Sequence, residues 1–552
     1  MNRRDFLLAL AASPCISGCQ PKASPHLPTG ELLGPSMERG HRLRGRDFPA
    51  PSEFRKTGVA IVGGGIAGLS AAWKLNKSGF GDFQLFELED AAGGNARSGK
   101  NAVSAYPWGA HYLPLPGVEA RETRELLADL GVLQGDPYAE TPSYDERYLC
   151  FAPQERLYRN GLWQEGILPQ IGTTKHDQEQ YRHFFALLEQ FRQHQGASGL
   201  RAFAIPAARS ARDADLMALD RISMRQFLFQ HKLDSPLLHW YVNYGCRDDY
   251  GSDYARVSAW AGLHYFASRN GQAANAESDQ VLTWPEGNDW LVKQMQRGLK
   301  ERIVSGALVQ RMEETKSHVE LDVFMHSENR SVRWQADQVI FAAPMFVLPH
   351  LFEGLDTNLK QACQQIRYAP WLVANLTLNS LPNPGHGAPL SWDNVLYDSP
   401  ALGYVNATHQ NLRSHEGPTV LTYYQALSGE PEKNARQRLF DTPRNQWAEM
   451  ILRDLSRPHP DIRDKVTQLD VFRWGHAMSM PVPGWIWSAA RERLTLPHGR
   501  LHLAHSDLSG FSIFEEANYW GVTASINVMQ RFVNQHPNLT TYQRPILTRD
   551  SS

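Results

Sequence analysis

Cysteine is scarce: the 552 residues hold five, two of them within the first 19. None stands in a C-x-x-C pair, which excludes a zinc-ribbon site and a disulfide framework; Cys150, Cys246 and Cys363 leave room for one disulfide or for buried thiols. Neither charge is in surplus, with 56 basic against 58 acidic residues, so nothing in the balance points to nucleic acid. No apolar run reaches the roughly 18 residues of a membrane span. H-E-x-x-H, G-x-S-x-G and internal repeats are all missing, which removes the usual marks of zinc peptidases, serine hydrolases and solenoids. A chain 42% hydrophobic and this long can bury a large core, and two domains are expected.

The chain opens MNRRDFLLALAASPCISGCQ. Arg3 and Arg4, a twelve-residue apolar stretch from Phe6 to Ser17, and small residues before Cys19 form an export signal too short to span a bilayer. The Arg pair resembles a twin-arginine signal, and Ile16-Ser17-Gly18-Cys19 resembles a lipobox, in which Cys19 would carry the lipid and tether the protein to a membrane in the periplasm. Residues 20–56 contain six prolines and no sustained apolar period, and read as an extended tether.

The stretch VAIVGGGIAGLSAAWKL then places four glycines within six residues, between an apolar run and a helix-forming segment. Strand, Gly63-x-Gly65-x-x-Gly68 and helix together make a dinucleotide-binding turn. Gly63 serves the tight turn, Gly65 the close approach of the pyrophosphate, and Gly68 the packing of helix on strand; Ile66 and Ala67 begin the helix whose free N–H groups face the anion. A second strand, FQLF, ends at Glu87, 19 residues beyond Gly68, where a carboxylate accepts from ribose hydroxyls. Glu89, two residues on, is the rival.

Gly93-Gly94-Asn95-Ala96-Arg97-Ser98 follows at the interval seen in the flavin amine oxidase superfamily, which also holds protoporphyrinogen oxidase and the carotenoid desaturases. WGAHYLP, ALVQRM, ADQVIFAAP and GRLHLAHSDLSGFSIFEEANYWG resemble further segments of that superfamily. The resemblance covers residues 58–112, 281–345 and 471–530. It implies an α/β fold: a discontinuous Rossmann-like FAD-binding domain (57–140, 281–345, 471–535) and an α+β substrate domain (141–280, 346–470). It implies FAD contacts from Gly94, Arg97, Gly109, Ala110, the Val309 backbone and Asp507, and from a helix start at Glu516 and Ala517. Asn95 stands where many members have Arg. No cysteine lies in the C-terminal segment, so FAD is expected to be held non-covalently.

Such an enzyme moves a hydride from substrate to flavin N5. Many amine oxidases carry a Lys near N5. The comparable stretch here has Leu372, Val373 and Ala374, which draws the chain toward the desaturase and porphyrinogen-oxidase branch. Trp474, His476 and His111 are the candidate catalytic residues. His409 and the run Arg247-Asp248-Asp249 are read as loop or surface positions. The expected substrate is a small amine or an unsaturated or alicyclic compound. With one nucleotide fingerprint only, the expected acceptor is oxygen, a quinone or an electron carrier. A FAD-binding structural or assembly protein without catalysis is the alternative.

Overall fold

The computed structural model describes residues 27–45, 47–412 and 417–535. The expected export signal and Cys19 lie outside them. In chain order, Leu32–Leu33 (β1) and Met37–Gly45 (α1) precede Pro51–Val62 (β2), Ile66–Lys77 (α2) and Phe83–Phe86 (β3). Glu155–Arg159 (β4) and Leu162–Glu165 (β5) lead to a helical block with Lys175–Gln193 (α3), Pro236–Tyr250 (α4) and Ala259–Ala267 (α5). Ile303–Val304 (β6), Ala307–Glu314 (β7), Val319–Met325 (β8), Arg330–Phe341 (β9) and Phe352–Glu353 (β10) follow. Next come Tyr368–Leu378 (β11), Asp393–Leu396 (β12), Gly403–Asn406 (β13), Thr419–Ala426 (β14), Glu432–Asp441 (α6), Arg444–Leu455 (α7) and Val466–Ser479 (β15). Leu501–Leu503 (β16) and Phe514–Gln535 (α8) complete the described chain.

The first sheet runs β6-β3-β2-β9-β8-β7-β10, with β16 beside β9. Its β6, β3, β2, β9 and β16 are parallel, as expected for a strand sequence covered on both faces. Residues 57–62 of β2 are buried throughout. On one face α2 and α8 cross so closely that a side chain at Gly521 would meet the Ala67 carbonyl at 2.2 Å. Gly68 is equally constrained, since a Cβ there would lie 1.9 Å from the Gly63 carbonyl oxygen.

The second sheet runs β1-β15-β11-β14-β13-β12-β4-β5. Strand alternation divides its residues between two cores. Leu372, Ala374, Leu421, Leu469 and Val471 pack with residues of α6 and α7, whereas Trp371, Val373, Tyr424, Phe472 and Trp474 belong to an aromatic cluster on the opposite face. The molecule is therefore an α/β dinucleotide-type domain joined to a second, mixed domain.

Two boundaries differ from expectation. Within the expected tether, residues 32–33 and 51–56 are built into the sheets: β1 pairs with β15, and residues 51–56 extend β2 alongside β9. Residues 471–479, assigned to the FAD domain by resemblance, are hydrogen-bonded to β11 in the second sheet. Cys150, Cys246 and Cys363 are buried free thiols. No helix among the described residues is long and apolar enough to cross a membrane.

Candidate functional site

The glycine turn forms as its spacing requires. Gly63 has φ +105°, a conformation open to glycine at little cost. Gly65 caps α2 without any side-chain bond, so the first N–H groups of the helix stay available to an anion. A Cβ placed on Gly65 meets nothing nearer than the Gly94 Cα at 4.0 Å, which leaves an open cradle. Glu87, directly after β3, is buried and accepts from the Gly64 N–H at 2.7 Å and the Glu89 N–H at 2.8 Å. These bonds fix its carboxylate and leave lone pairs for ribose hydroxyls. Glu89 is instead engaged by Arg97 at 3.2 Å and by the Ser36 N–H at 2.8 Å, so the structure favours Glu87 over its rival.

Further along, Asp507 is fully buried. Its Oδ2 accepts from the Met345 N–H (3.0 Å) and the Tyr368 hydroxyl (2.5 Å). Its Oδ1 lacks a hydrogen-bond donor, with only the His505 ring alongside at 3.2 Å. Asn288, 1% exposed, likewise presents an unbonded Oδ1. Orphaned acceptors at this depth are costly unless a ligand supplies donors, and FAD carries hydroxyl groups that can. The open cradle, the uncapped helix and these acceptors fit that cofactor.

A cavity of about 190 Å3 lies beside the second sheet and the start of α8. Asn95, Gly109, Ala110, His111 and Tyr112 form one wall, and Ser512, Ile513, Phe514 and Glu515 at the start of α8 another. Trp371, Val373, Tyr424 and Trp474 come from the second sheet, and Tyr244, Asp248 and Asp249 from α4. Four carboxylates thus line the cavity (Asp248, Asp249, Asp393, Glu515) against one guanidinium, Arg269, and that cation is held by Asp249 at 2.5 Å.

Burial governs how these groups titrate. It raises the Asp248 carboxyl to about 7, with the neighbouring Asp249 adding to the rise and Arg269 and the Tyr112 hydroxyl (3.1 Å) opposing it. Asp393 is raised well above the usual carboxylate range by burial, Glu155 and Asp248. Glu515, 3% exposed, is raised to about 7, again mainly by burial. Among the described residues, no lysine or arginine forms an ion pair with Asp248, Asp393 or Glu515.

The candidate residues divide accordingly. Trp474 lines the cavity, donates to the Trp108 carbonyl at 2.6 Å and lies 5.5 Å from the Arg97 guanidinium. His111 lines it too, stacked on Tyr424 with ring centroids 4.3 Å apart, and burial lowers its imidazole to about 4, which keeps it neutral. His476 does not reach the cavity. An irregularity in β15, opposite Ala369 to Trp371, interrupts the alternation: Trp474 and Met478 both line the cavity, Ala477 joins them, and His476 faces Phe346 with ring centroids 4.6 Å apart. His476 is exposed there.

Val309 is buried in the core shared with Val62 and Phe86, so only its backbone can serve a ligand. Glu516 is not a cavity residue: α8 begins at Phe514, and Glu516 is fastened to the Ala207 N–H (2.6 Å) and to the Ser509 hydroxyl (2.5 Å). Ala517 follows it, half-buried against the core around α2. The preceding residue, Glu515, reaches the site. Asp248, read from the sequence as a loop or surface residue, lies on α4. Tyr244 and Asp248 are four residues apart and both line the cavity, as one helix face requires; that spacing was the available signal. His409 is structural, bonded to the Phe151 carbonyl at 2.7 Å.

Solved structures share this architecture at low identity, which bears on the fold alone. Putrescine oxidase bound to putrescine superposes with a TM-score of 0.65 at 16% identity, over 87% of this chain and 100% of its own. Cyclohexylamine oxidase from Brevibacterium oxydans IH-35A gives 0.61 at 16%, over 86% and 99%. A CLA-producing fatty acid isomerase from P. acnes gives 0.59 at 15%, over 86% and 98%. No protein of curated function matches the sequence significantly. The family model for flavin containing amine oxidoreductases matches residues 66–529, from the helix at the glycine turn to the body of α8. With the cradle, the ribose acid and the cavity in register, this chain belongs to the flavin containing amine oxidoreductase family and is a FAD-dependent oxidoreductase.

Proposed function

We propose that the enzyme oxidises a small cationic amine. The observation that carries this reading is the set of carboxylates without cationic partners, Asp393 and Asp248 above all, in a cavity otherwise walled by Trp371, Tyr424 and Trp474. Buried carboxylates of this kind call for a counter-charge, and aromatic faces add attraction for an ammonium group. A polyene or alicyclic hydrocarbon would fill the aromatic part but leave Asp393 uncompensated, so the acids outweigh the missing Lys in choosing between branches.

FAD, when bound, accepts the hydride from the carbon next to nitrogen. The chain's own residues prepare that carbon. Asp393 and Asp248 attract the ammonium form. Asp248, with its carboxyl near 7 and its Oδ2 steadied by Tyr112, is placed to take the ammonium proton and free the nitrogen lone pair. Neutral His111, stacked on Tyr424, adds no competing positive charge. Trp371 and Trp474 limit water around the substrate.

The N-terminal signal supports export by the twin-arginine route and a lipid on Cys19 that tethers the enzyme to a periplasmic membrane surface. Oxygen, a quinone or an electron carrier would then take the electrons. The test is anaerobic mixing of the yellow protein with aliphatic amines, alicyclic amines, unsaturated fatty acids and polyenes, following flavin bleaching. Bleaching by amines alone is expected. Bleaching by polyenes or fatty acids but by no amine would overturn the reading.

A further inference from the structure

In an open α/β sheet, the residues that serve a dinucleotide lie just past the carboxyl ends of the parallel strands. Gly63 follows β2 there, and Glu87 follows β3. The chain leaving β9 crosses the same edge, since a Cβ on Gly63 would touch Ala342 and Ala343 at 2.9 Å. β16 pairs in parallel with β9, and Asp507 lies shortly beyond its end. The Met345 N–H donates to Asp507 Oδ2 at 3.0 Å, which fastens this acid to the chain that crosses Gly63.

The second donor to that oxygen comes from the other domain. Tyr368, 6% exposed, opens β11, and its hydroxyl donates to Asp507 Oδ2 at 2.5 Å. Its ring packs edge-on against Phe346 with centroids 5.2 Å apart, and its carbonyl accepts from Arg436 at 3.2 Å. With two donors Oδ2 is satisfied, and the carboxylate cannot turn without breaking both bonds. Oδ1 has no donor. The His505 Nδ1 lies 3.2 Å from it but accepts from the Asp507 N–H at 3.1 Å, so in the neutral ring it holds no proton for Oδ1. Burial pushes the Asp507 carboxyl up, but the His505 ring once protonated, the Tyr368 hydroxyl and the Met345 N–H hold it below the usual range. Burial, with Asp507 adding, raises the Tyr368 phenol, which therefore keeps the proton it donates. Nearby Cys363 is raised to about 12, mainly by burial, and stays a neutral thiol. His476, whose ring lies 5.8 Å from that of Tyr368, is lowered to about 4, again mainly by burial, and stays neutral.

We propose that Tyr368 is a positioning residue for the cofactor: held by the second sheet, it fixes one oxygen of Asp507 so that the other is offered to a hydroxyl of bound FAD. Retention of FAD then depends on how the second sheet is seated on the first. Ser479, the partner of Tyr368 in β15, marks the same crossing, where its N–H donates to the Ser512 hydroxyl at 2.9 Å. The proposal rests on the cofactor and not on the amine reading.

The test uses the full chain loaded with FAD. Tyr368→Phe keeps the ring on Phe346 and removes only the donor. Its FAD release, read by the fluorescence of flavin passing a filter, should be at least fivefold faster than in the unsubstituted protein at pH 8. The ratio should widen at least twofold by pH 5, because a carboxyl that has lost a donor takes up its proton more readily. Asp507→Asn should itself speed release, and in that background Tyr368→Phe should add less than twofold. Ser479→Ala, which removes a hydroxyl at the same crossing, should leave release within twofold of the unsubstituted protein. Tyr368→Phe release within twofold of the unsubstituted protein, a ratio that does not widen toward acid, effects that multiply in the double variant, or equal acceleration by Ser479→Ala overturns the proposal. So does a Tyr368→Phe protein that no longer folds without FAD, since the hydroxyl would then belong to the fold. An unsubstituted protein that takes up no flavin overturns the cofactor assignment as well.

Discussion

Replacing Asp393 with Asn keeps the side chain's shape and removes the charge that the proposed substrate most needs. Asp393 lines the cavity from β12, beside Glu155 of β4 in register, and neither of its nearest charged neighbours is positive. A carboxylate–ammonium contact at about 4 Å in an effective dielectric of ~20 is worth ~4 kcal/mol. Stripping water from both ions offsets roughly half or more, leaving about 1–2 kcal/mol, a five- to thirtyfold loss of affinity. The assay is titration of the oxidised enzyme with a quaternary ammonium ligand, followed by the shift in its visible flavin spectrum. An alcohol of equal length serves as the uncharged control and should bind the variant as it binds the parent. Because burial and two acids hold the Asp393 carboxyl high, cation binding should also expel a proton, visible as a buffer-dependent heat that the variant lacks. As pH falls through about 7, Asp248 takes up its proton and cation affinity should drop in both proteins. Equal weakening of cation and alcohol, or no weakening of either, would refute the electrostatic argument.

Gly65→Val should give colourless but folded protein, since its Cβ meets nothing nearer than the Gly94 Cα at 4.0 Å while the branched side chain fills the cradle; full FAD content in the variant would place the pyrophosphate elsewhere. The raised carboxyl of Glu515 implies that folded-state stability falls as pH rises from about 4.5 through about 7, because the buried group must then ionise. Glu515→Gln should remove that fall and gain ~2 kcal/mol at pH 8, measured as the difference in unfolding midpoint between pH 5 and pH 8; an unchanged pH slope would contradict it. Arg3→Lys with Arg4→Lys should strand the protein in the cytoplasm, and Cys19→Ala should abolish labelling by fatty acid; label retained on the Cys19→Ala protein would remove the lipobox assignment.

The cofactor half of the site was legible because its logic is local. Gly63, Gly65, Gly68 and Glu87 answer to one strand–turn–helix–strand unit, and each position has a steric or hydrogen-bonding reason that spacing alone exposes. The cavity's acids obey no such rule. Asp248 sits on α4 and Asp393 on β12, with Glu515 at the start of α8, and only the packing of two sheets brings them together. In sequence, an Asp-Asp pair after Arg247 looks like an exposed turn; burial against Tyr112 and Arg269 changes its meaning. The helix expected to begin near Glu516 begins at Phe514, two residues earlier, since a helix start cannot be placed to the residue from composition. The pairing of residues 32–33 and 51–56 with the two sheets was missed because prolines and mixed charge describe a surface segment as well as a free one.

The fate of His476 shows how much rests on a small backbone detail. On a regular strand Trp474 and His476 share a face, and a sequence reading that sees Trp474 at the flavin must place His476 there too. The irregularity in β15 lies opposite Pro370, a residue with no N–H to offer the ladder. Interrupting the pairing there lets the chain turn over, and Ala477 takes the cavity position. Asn95 Nδ2 donates to the Ala477 carbonyl at 2.5 Å, which ties the turned backbone to the glycine segment of the first domain. One side of β15 therefore presents Trp474, Ala477 and Met478 to the cavity, while His476 turns away from it toward Phe346.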